Sequence, residues 1–444
     1  MGGTSPMTIR IFGREYALGG GATRAAGVRQ WNGRSFYRTS LLAVALVIPS
    51  LLQGCATPER LTAVPRDQEA TAVVAGMTGI RYWQDADLAL MTEDGIEAYK
   101  READLYAAAG NKGPLPPANF LAVSGGGENG AFGAGLLNGW TEAGTRPEFK
   151  LVTGVSTGAL IAPFAFLGPA YDQQLKEVFT TVSGKDILEE RGILAPLFDD
   201  AVNDNAPLQK LVAKYVNQDM LKAIAAEHAK GRMLLIGTTN LDARRPVVWN
   251  ITKIAASGSP QALELVRKIL VASTAIPAAF PPMMIDVDVN GTPHQEMHVD
   301  GGASAQVFVY PPRMQLAEMS KEHGIVRERR LFVIRNGRLD PDWADTQRLV
   351  LNIAGRAVAS LIQNQGVGDL YRIFSVTQRD GVDFNLAFIP PTFNVPLNEP
   401  FEQHYMNELF KLGHDLSRAG YPWAKVPPGY QAPSLTIGHE QNPN

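Results

Sequence analysis

The sequence predicts a three-layer α/β/α sandwich around a mainly parallel central sheet. Two short apolar runs, residues 120–123 and 150–153, each flow into a glycine-rich loop and then into a segment of helical spacing. That strand-helix-strand-helix order implies parallel pairing. Composition agrees: 444 residues, 45% hydrophobic and 19% charged, suit a globular chain of one large domain or two modest ones.

Taken in order, residues 1–54 carry six arginines (Arg10, Arg14, Arg24, Arg29, Arg34, Arg38), one glutamate, Glu15, and an apolar run over 41–52. With the small Gly54 at its end, this is the layout of an export signal. The run is too short to span a bilayer, which takes roughly 20 apolar residues. The leader is long, and Val28 is an alternative start. Removing residues 1–54 takes the formal net charge from −3 to −8, since six positive and one negative charge leave. A mildly acidic remainder argues against nucleic acid as a partner, because no basic face is expected to displace counterions from phosphates.

Residues 55–117 read as a tether and N-terminal extension, helical over 85–109, with a Pro/Gly-rich exit at 113–117. The catalytic core is expected over 118–312. After the 120–123 strand, Phe132, Leu136, Leu137 and Trp140 recur near helical spacing until Gly144 and Pro147 stop the helix. The 150–153 strand leads into a second helix that Pro163 bends or shortens. Residues 233–238 are strand-like and 260–272 helical. Residues 284–289 alternate apolar with acidic side chains, Asn290-Gly291 signals a hairpin, and 295–299 return to deliver Asp300-Gly301-Gly302. Residues 313–430 form the C-terminal part of the same domain, with a strand at 331–334, a long helix over 345–363 and another over 401–419. A polar tail, 431–444, is expected to be mobile.

Gly154-Val155-Ser156-Thr157-Gly158 is G-x-S-x-G between a strand and a helix, where small neighbours at Gly154 and Gly158 let the backbone turn and expose the serine oxygen. Gly125, Gly126 and Gly127 end the preceding strand, 29 to 31 positions earlier. Backbone N–H groups there, with that of Glu128, suit an oxyanion hole, in which one donor contributes about 3 kcal/mol to the transition state. The same residues fit G-x-G-x-x-G through Gly130, so a dinucleotide turn is the rival. It requires an acidic residue ending the next strand, where Thr153 and Gly154 stand instead. A serine needs a base, and Asp300 is the best-placed carboxylate.

A histidine-dependent esterase is the alternative, with His404 or His414 late in the chain as such hydrolases require. His294 and His298 have a helical metal-ligand spacing, but Pro293 and the flanking alternation favour a strand. There they would stand about 13 Å apart, too far to share an ion. No metal or cofactor is expected. Cys55 is the single cysteine, which leaves no disulfide framework.

Together, over roughly residues 118–312, these motifs resemble the patatin-like phospholipases: a Gly-rich loop at 125–130, Ser156 matching the nucleophile, and Asp300 of Asp-Gly-Gly matching the partner of a Ser-Asp dyad. The stretch 272–277 with Phe280-Pro281-Pro282 is similar to a segment preceding that aspartate. The resemblance implies acyl esters of membrane lipids as substrates. Asn129 departs from the family's Arg or Lys, removing a positive charge near the loop and leaving open a lipid-binding protein without turnover. Leu52-Gln53-Gly54-Cys55 resembles the bacterial lipobox, which implies lipidation of Cys55 and export to a membrane. Ala56 after it points to the outer membrane, facing the periplasm.

Overall fold

The structure, a computed structural model, describes residues 59–190, 199–341, 343 and 345–431, with a separate pair of short strands at Thr8–Ile11 and Arg14–Ala17. Cys55, most of the 1–54 leader and the tail from residue 432 lie outside the described residues.

Ten strands form the central sheet: β1 (Val73–Val74), β2 (Arg81–Trp83), β3 (Ala118–Val123), β4 (Phe149–Val155), β5 (Met233–Asn240), β6 (Arg245–Asn250), β7 (Met283–Val289), β8 (Thr292–Asp300), β9 (Arg329–Arg335) and β10 (Asp383–Phe388). Their order is β10-β9-β3-β4-β5-β8-β7-β1, with β6 also paired to β5 and β2 to β6. The block β10-β9-β3-β4-β5 is parallel throughout. Beyond β5 every pairing is antiparallel. The sheet is therefore mixed, its parallel block ending in the candidate nucleophile and its antiparallel flank in Asp300.

Six helices matter to the site: α1 (Leu88–Ala108), α2 (Gly130–Glu142), α3 (Thr157–Leu167), α4 (Ala262–Thr274), α5 (Val350–Asp380) and α6 (Gln403–Arg418). Side chains alternate faces along β3, as a pleated strand dictates. Leu121 and Val123 join one core with Phe132 and Leu136 of α2 and Ile269 of α4, while Ala122 joins another with Leu370 and Phe374 of α5. Both faces are covered, giving the expected α/β/α layers.

Three elements differ from the sequence reading. Residues 59–117, read as a tether and extension, contribute β1, β2 and α1 to the folded body. The helix placed at 345–363 starts at Val350 and runs to Asp380. The strand over 150–153 continues to Val155, directly before Ser156. The Asn290-Gly291 turn does take left-handed backbone at both residues, φ 53° and 84°, which suits the twist of the hairpin it closes.

Candidate active site

Ser156 sits between β4 and α3 with φ 55° and ψ −128°. A side chain held there costs about 1–3 kcal/mol, so the surrounding packing must impose it. A Cβ on Gly154 would lie 2.4 Å from the Gly158 carbonyl oxygen, and one on Gly158 would lie 2.3 Å from that of Val123. Only glycine lets the two limbs of this turn close on each other. The Ser156 N–H donates to Ser273 Oγ at 3.0 Å, and the Ser273 hydroxyl donates to the Gly237 carbonyl at 2.7 Å. Ser273, buried near the end of α4, thus fastens the turn to β5.

Asp300 ends β8. Its N–H donates to the Ala275 carbonyl at 2.9 Å, and its Oδ1 accepts the Gly302 N–H at 2.7 Å. Burial raises the carboxyl pKa to about 6, while the Ser156 hydroxyl and the Gly302 N–H pull it down. No cation offsets that burial. Although the Ser156 hydroxyl acts on this carboxyl, Asp300 Oδ2 completes no hydrogen bond of ordinary geometry. Asp300 thus lies beside Ser156 without a closed hydrogen bond to it.

Of the four expected loop donors, one is already engaged: the Gly125 N–H donates to the Gln306 carbonyl at 3.0 Å. Gly126 and Gly127 make no such bond among the described residues. Burial raises the Glu128 carboxyl pKa. Gly126 is required by close approach, since a Cβ there would lie 2.1 Å from the Asn336 carbonyl oxygen.

The loop is held from behind by residues the sequence did not single out. The Asn336 N–H donates to Ser124 Oγ at 2.8 Å, and its Nδ2 donates to the Ser124 carbonyl at 2.9 Å. Arg335, buried at the end of β9, directs Nη1 at the Gly125 carbonyl and Ser124 Oγ, both at 3.3 Å. A guanidinium therefore underlies the loop although position 129 lacks one. Asn129 itself accepts the Tyr405 hydroxyl from α6 at 2.6 Å. Gln306 joins loop to turn: its carbonyl takes the Gly125 N–H, and its Nε2 donates to the Gly302 carbonyl at 2.9 Å. Ser273 falls within the 272–277 stretch read above. Gln306, Arg335 and Asn336 leave no comparable local pattern.

The histidines lie in other surroundings. His404 is exposed on α6, and His414 pairs with Glu142 at 2.8 Å and with Asp415 at 3.2 Å. Neither makes a described bond to Ser156 or Asp300. His294 and His298 are both on β8, as the alternation suggested. His294 is bound to Thr62, and His298 is buried between Thr238 and Glu296.

Beside Ser156 and Gly127 lies a narrow cleft, lined by Leu160, Phe179, Leu208, Ile276, Phe280 and Phe401 among others. Its wall is almost wholly carbon.

A strained serine at a strand-helix turn, a buried carboxylate and an apolar cleft thus come together on an α/β/α body. Residues 121–312 match the family model of patatin-like phospholipases. No curated protein sequence matches the chain. Among solved structures, VipD from Legionella pneumophila is similar at 11% identity and TM-score 0.34, over 69% of this chain and 66% of that one. Human GIVD cytosolic phospholipase A2 gives 9% identity and TM-score 0.29, over 72% and 55%. ExoU of Pseudomonas aeruginosa, in complex with SpcU, gives 13% and 0.27, over 69% and 52%. The chain spans between half and two thirds of the length of these structures.

Proposed function

We propose that the protein hydrolyses fatty-acyl esters of phospholipids or related lipids, with Ser156 as nucleophile and Asp300 as the base. The observation that carries this reading is the strained Ser156, on the wall of an apolar cleft and beside a buried carboxylate that no cation among the described residues neutralises. The cleft takes the acyl chain. Ser156 Oγ attacks the ester carbonyl carbon while its proton passes to Asp300. The N–H groups of Gly126 and Gly127 receive the negative oxygen. As the tetrahedral adduct collapses, the ester C–O bond breaks and Asp300 returns the proton to the departing alcohol. Water then attacks the acyl-serine carbon, giving its proton to Asp300. Collapse frees the fatty acid, and Asp300 reprotonates Ser156.

Arg335 acts as a positioning residue, holding the Gly125 carbonyl so that the next two N–H groups face the cleft. Export and lipidation at Cys55 would bring the enzyme to its substrate. Loss of fatty-acid incorporation on Cys55→Ser tests that part alone.

The catalytic assignment is tested by fatty-acid release from phospholipid vesicles. Wild type is expected to release it and Ser156→Ala to release none. Release undiminished in Ser156→Ala rejects the assignment.

A further inference from the structure

Helix α5 has two unlike halves. Its C-terminal half is built into the domain, with Leu370, Ile373, Phe374 and Thr377 buried. Its N-terminal half is largely exposed, and its exposed side chains are mostly apolar: Val350 is 83% exposed, Leu361 70%, and Ile353 and Val358 53% each. Between residues 350 and 368 the only charged side chain is Arg356.

At about 100° per residue, Val350, Ala354, Ala357, Val358 and Leu361 share an arc roughly 100° wide, and the exposed Ile353 and Ile362 widen it to about 180°. Asn352, Arg356, Ser360 and Gln363 fall on the other side. Of these, Asn352, Arg356 and Gln363 are half-buried, and Gln363 donates to the Arg338 carbonyl at 3.0 Å. A surface helix ordinarily turns its apolar face to the core. This one presents it outward.

The face is continuous with the site. One turn past Leu361, Gln365 accepts from Gln306, which holds both Gly125 and Gly302. Arg338, beside Gln363, binds the Phe393 carbonyl, and the loop from there carries exposed Leu397 on the way to Phe401 of the cleft. Trp343, 86% exposed, precedes the helix. No helix among the described residues is long and apolar enough to cross a membrane. An apolar face of this kind, with a tryptophan beside it, suits lying in the headgroup region instead.

We infer that the N-terminal half of α5, with Trp343, docks on a lipid bilayer and sets the Ser156 cleft against it. The choice of lipid as partner rests on the proposed lipid hydrolysis, so binding is measured in a chain that cannot turn over. Cys55→Ser leaves the full chain free of cysteine. In that background, with Ser156→Ala, Leu361→Cys and, separately, Ser360→Cys carry an environment-sensitive fluorophore. Vesicles of phosphatidylethanolamine and phosphatidylglycerol are expected to raise the emission at position 361 severalfold and leave position 360 nearly unchanged. Val358→Asp with Leu361→Asp should cut vesicle binding in the Ser156→Ala chain at least about tenfold, while the same pair in a chain that keeps Ser156 should leave hydrolysis of a soluble short-chain ester within about twofold of wild type. Unchanged emission at 361, equal responses at 361 and 360, or undiminished binding by the double variant overturns the inference. So does a label at 361 that is buried without vesicles, because then protein covers this face, either a second copy or the Thr8–Ile11 strand that lies near α5.

Discussion

Strand β8 carries two buried carboxylates four residues apart, and they have opposite characters. Glu296 accepts from Arg81 at 2.5 and 3.0 Å and from His298 at 3.0 Å. Burial alone would raise its pKa, but the His298 hydrogen bond and Arg81 outweigh that and bring it to about 2. The bonding continues through His298 to the Thr238 hydroxyl, which accepts the Trp249 Nε1–H. Every polar atom there finds a partner. Asp300 receives one backbone N–H and the influence of Ser156, with no cation, and its pKa is raised to about 6. One strand thus carries a carboxylate held in its charged form and a carboxyl whose pKa burial raises.

The comparison is sharpened first by Ser156→Ala and Asp300→Asn. Each should lower kcat about 10³- to 10⁴-fold, as removal of a reacting group does elsewhere, with the fold intact by circular dichroism. Glu296→Gln should instead cost about 3–5 kcal/mol of stability by leaving Arg81 buried without its counter-charge. Denaturant unfolding measures that loss, and turnover per folded molecule should stay near wild type.

Asp300→Asn should move stability the other way. A carboxyl whose pKa is raised on folding weakens the fold once it ionises: the penalty is absent below its ordinary 3.8, grows between there and about 6, and is complete above. Removing it should stabilise the protein by about 3 kcal/mol at pH 8 and by almost nothing near pH 3.5. The smallest effect is expected from Arg335→Met, a loss of about 10- to 100-fold in kcat with little change in KM, since only donors aimed at the transition state are displaced. A change confined to stability would deny Arg335 its positioning role.

Where chemistry and backbone geometry coincide in a short window, the sequence was legible. Gly154 and Gly158 are needed within five residues of chain, and the strand and helix around them are strongly patterned. The hairpin that delivers Asp300 announces itself through Asn290-Gly291. What escaped depends on distant contacts. A helix ending at residue 363 stops ahead of Gly366 and Gly368, yet α5 continues because Gly366 makes room for Arg335, whose Nη2 would lie 2.7 Å from a Cβ there. That same guanidinium underlies the Gly125 carbonyl, from a strand more than two hundred residues away in sequence. Gln306 and Asn336 occupy Gly125 and Ser124 in the same manner, so which loop N–H groups remain available could not be read from the glycines alone.

The central claim is that one unpaired carboxyl activates Ser156. The pH dependence of Ser156 inactivation by a fluorophosphonate measures this most directly. In wild type the rate should rise through a midpoint near 6 and level off above it, while Asp300→Asn should react slowly and without that transition. A rate independent of pH between about 4 and 8, or a midpoint that persists in Asp300→Asn, would contradict it.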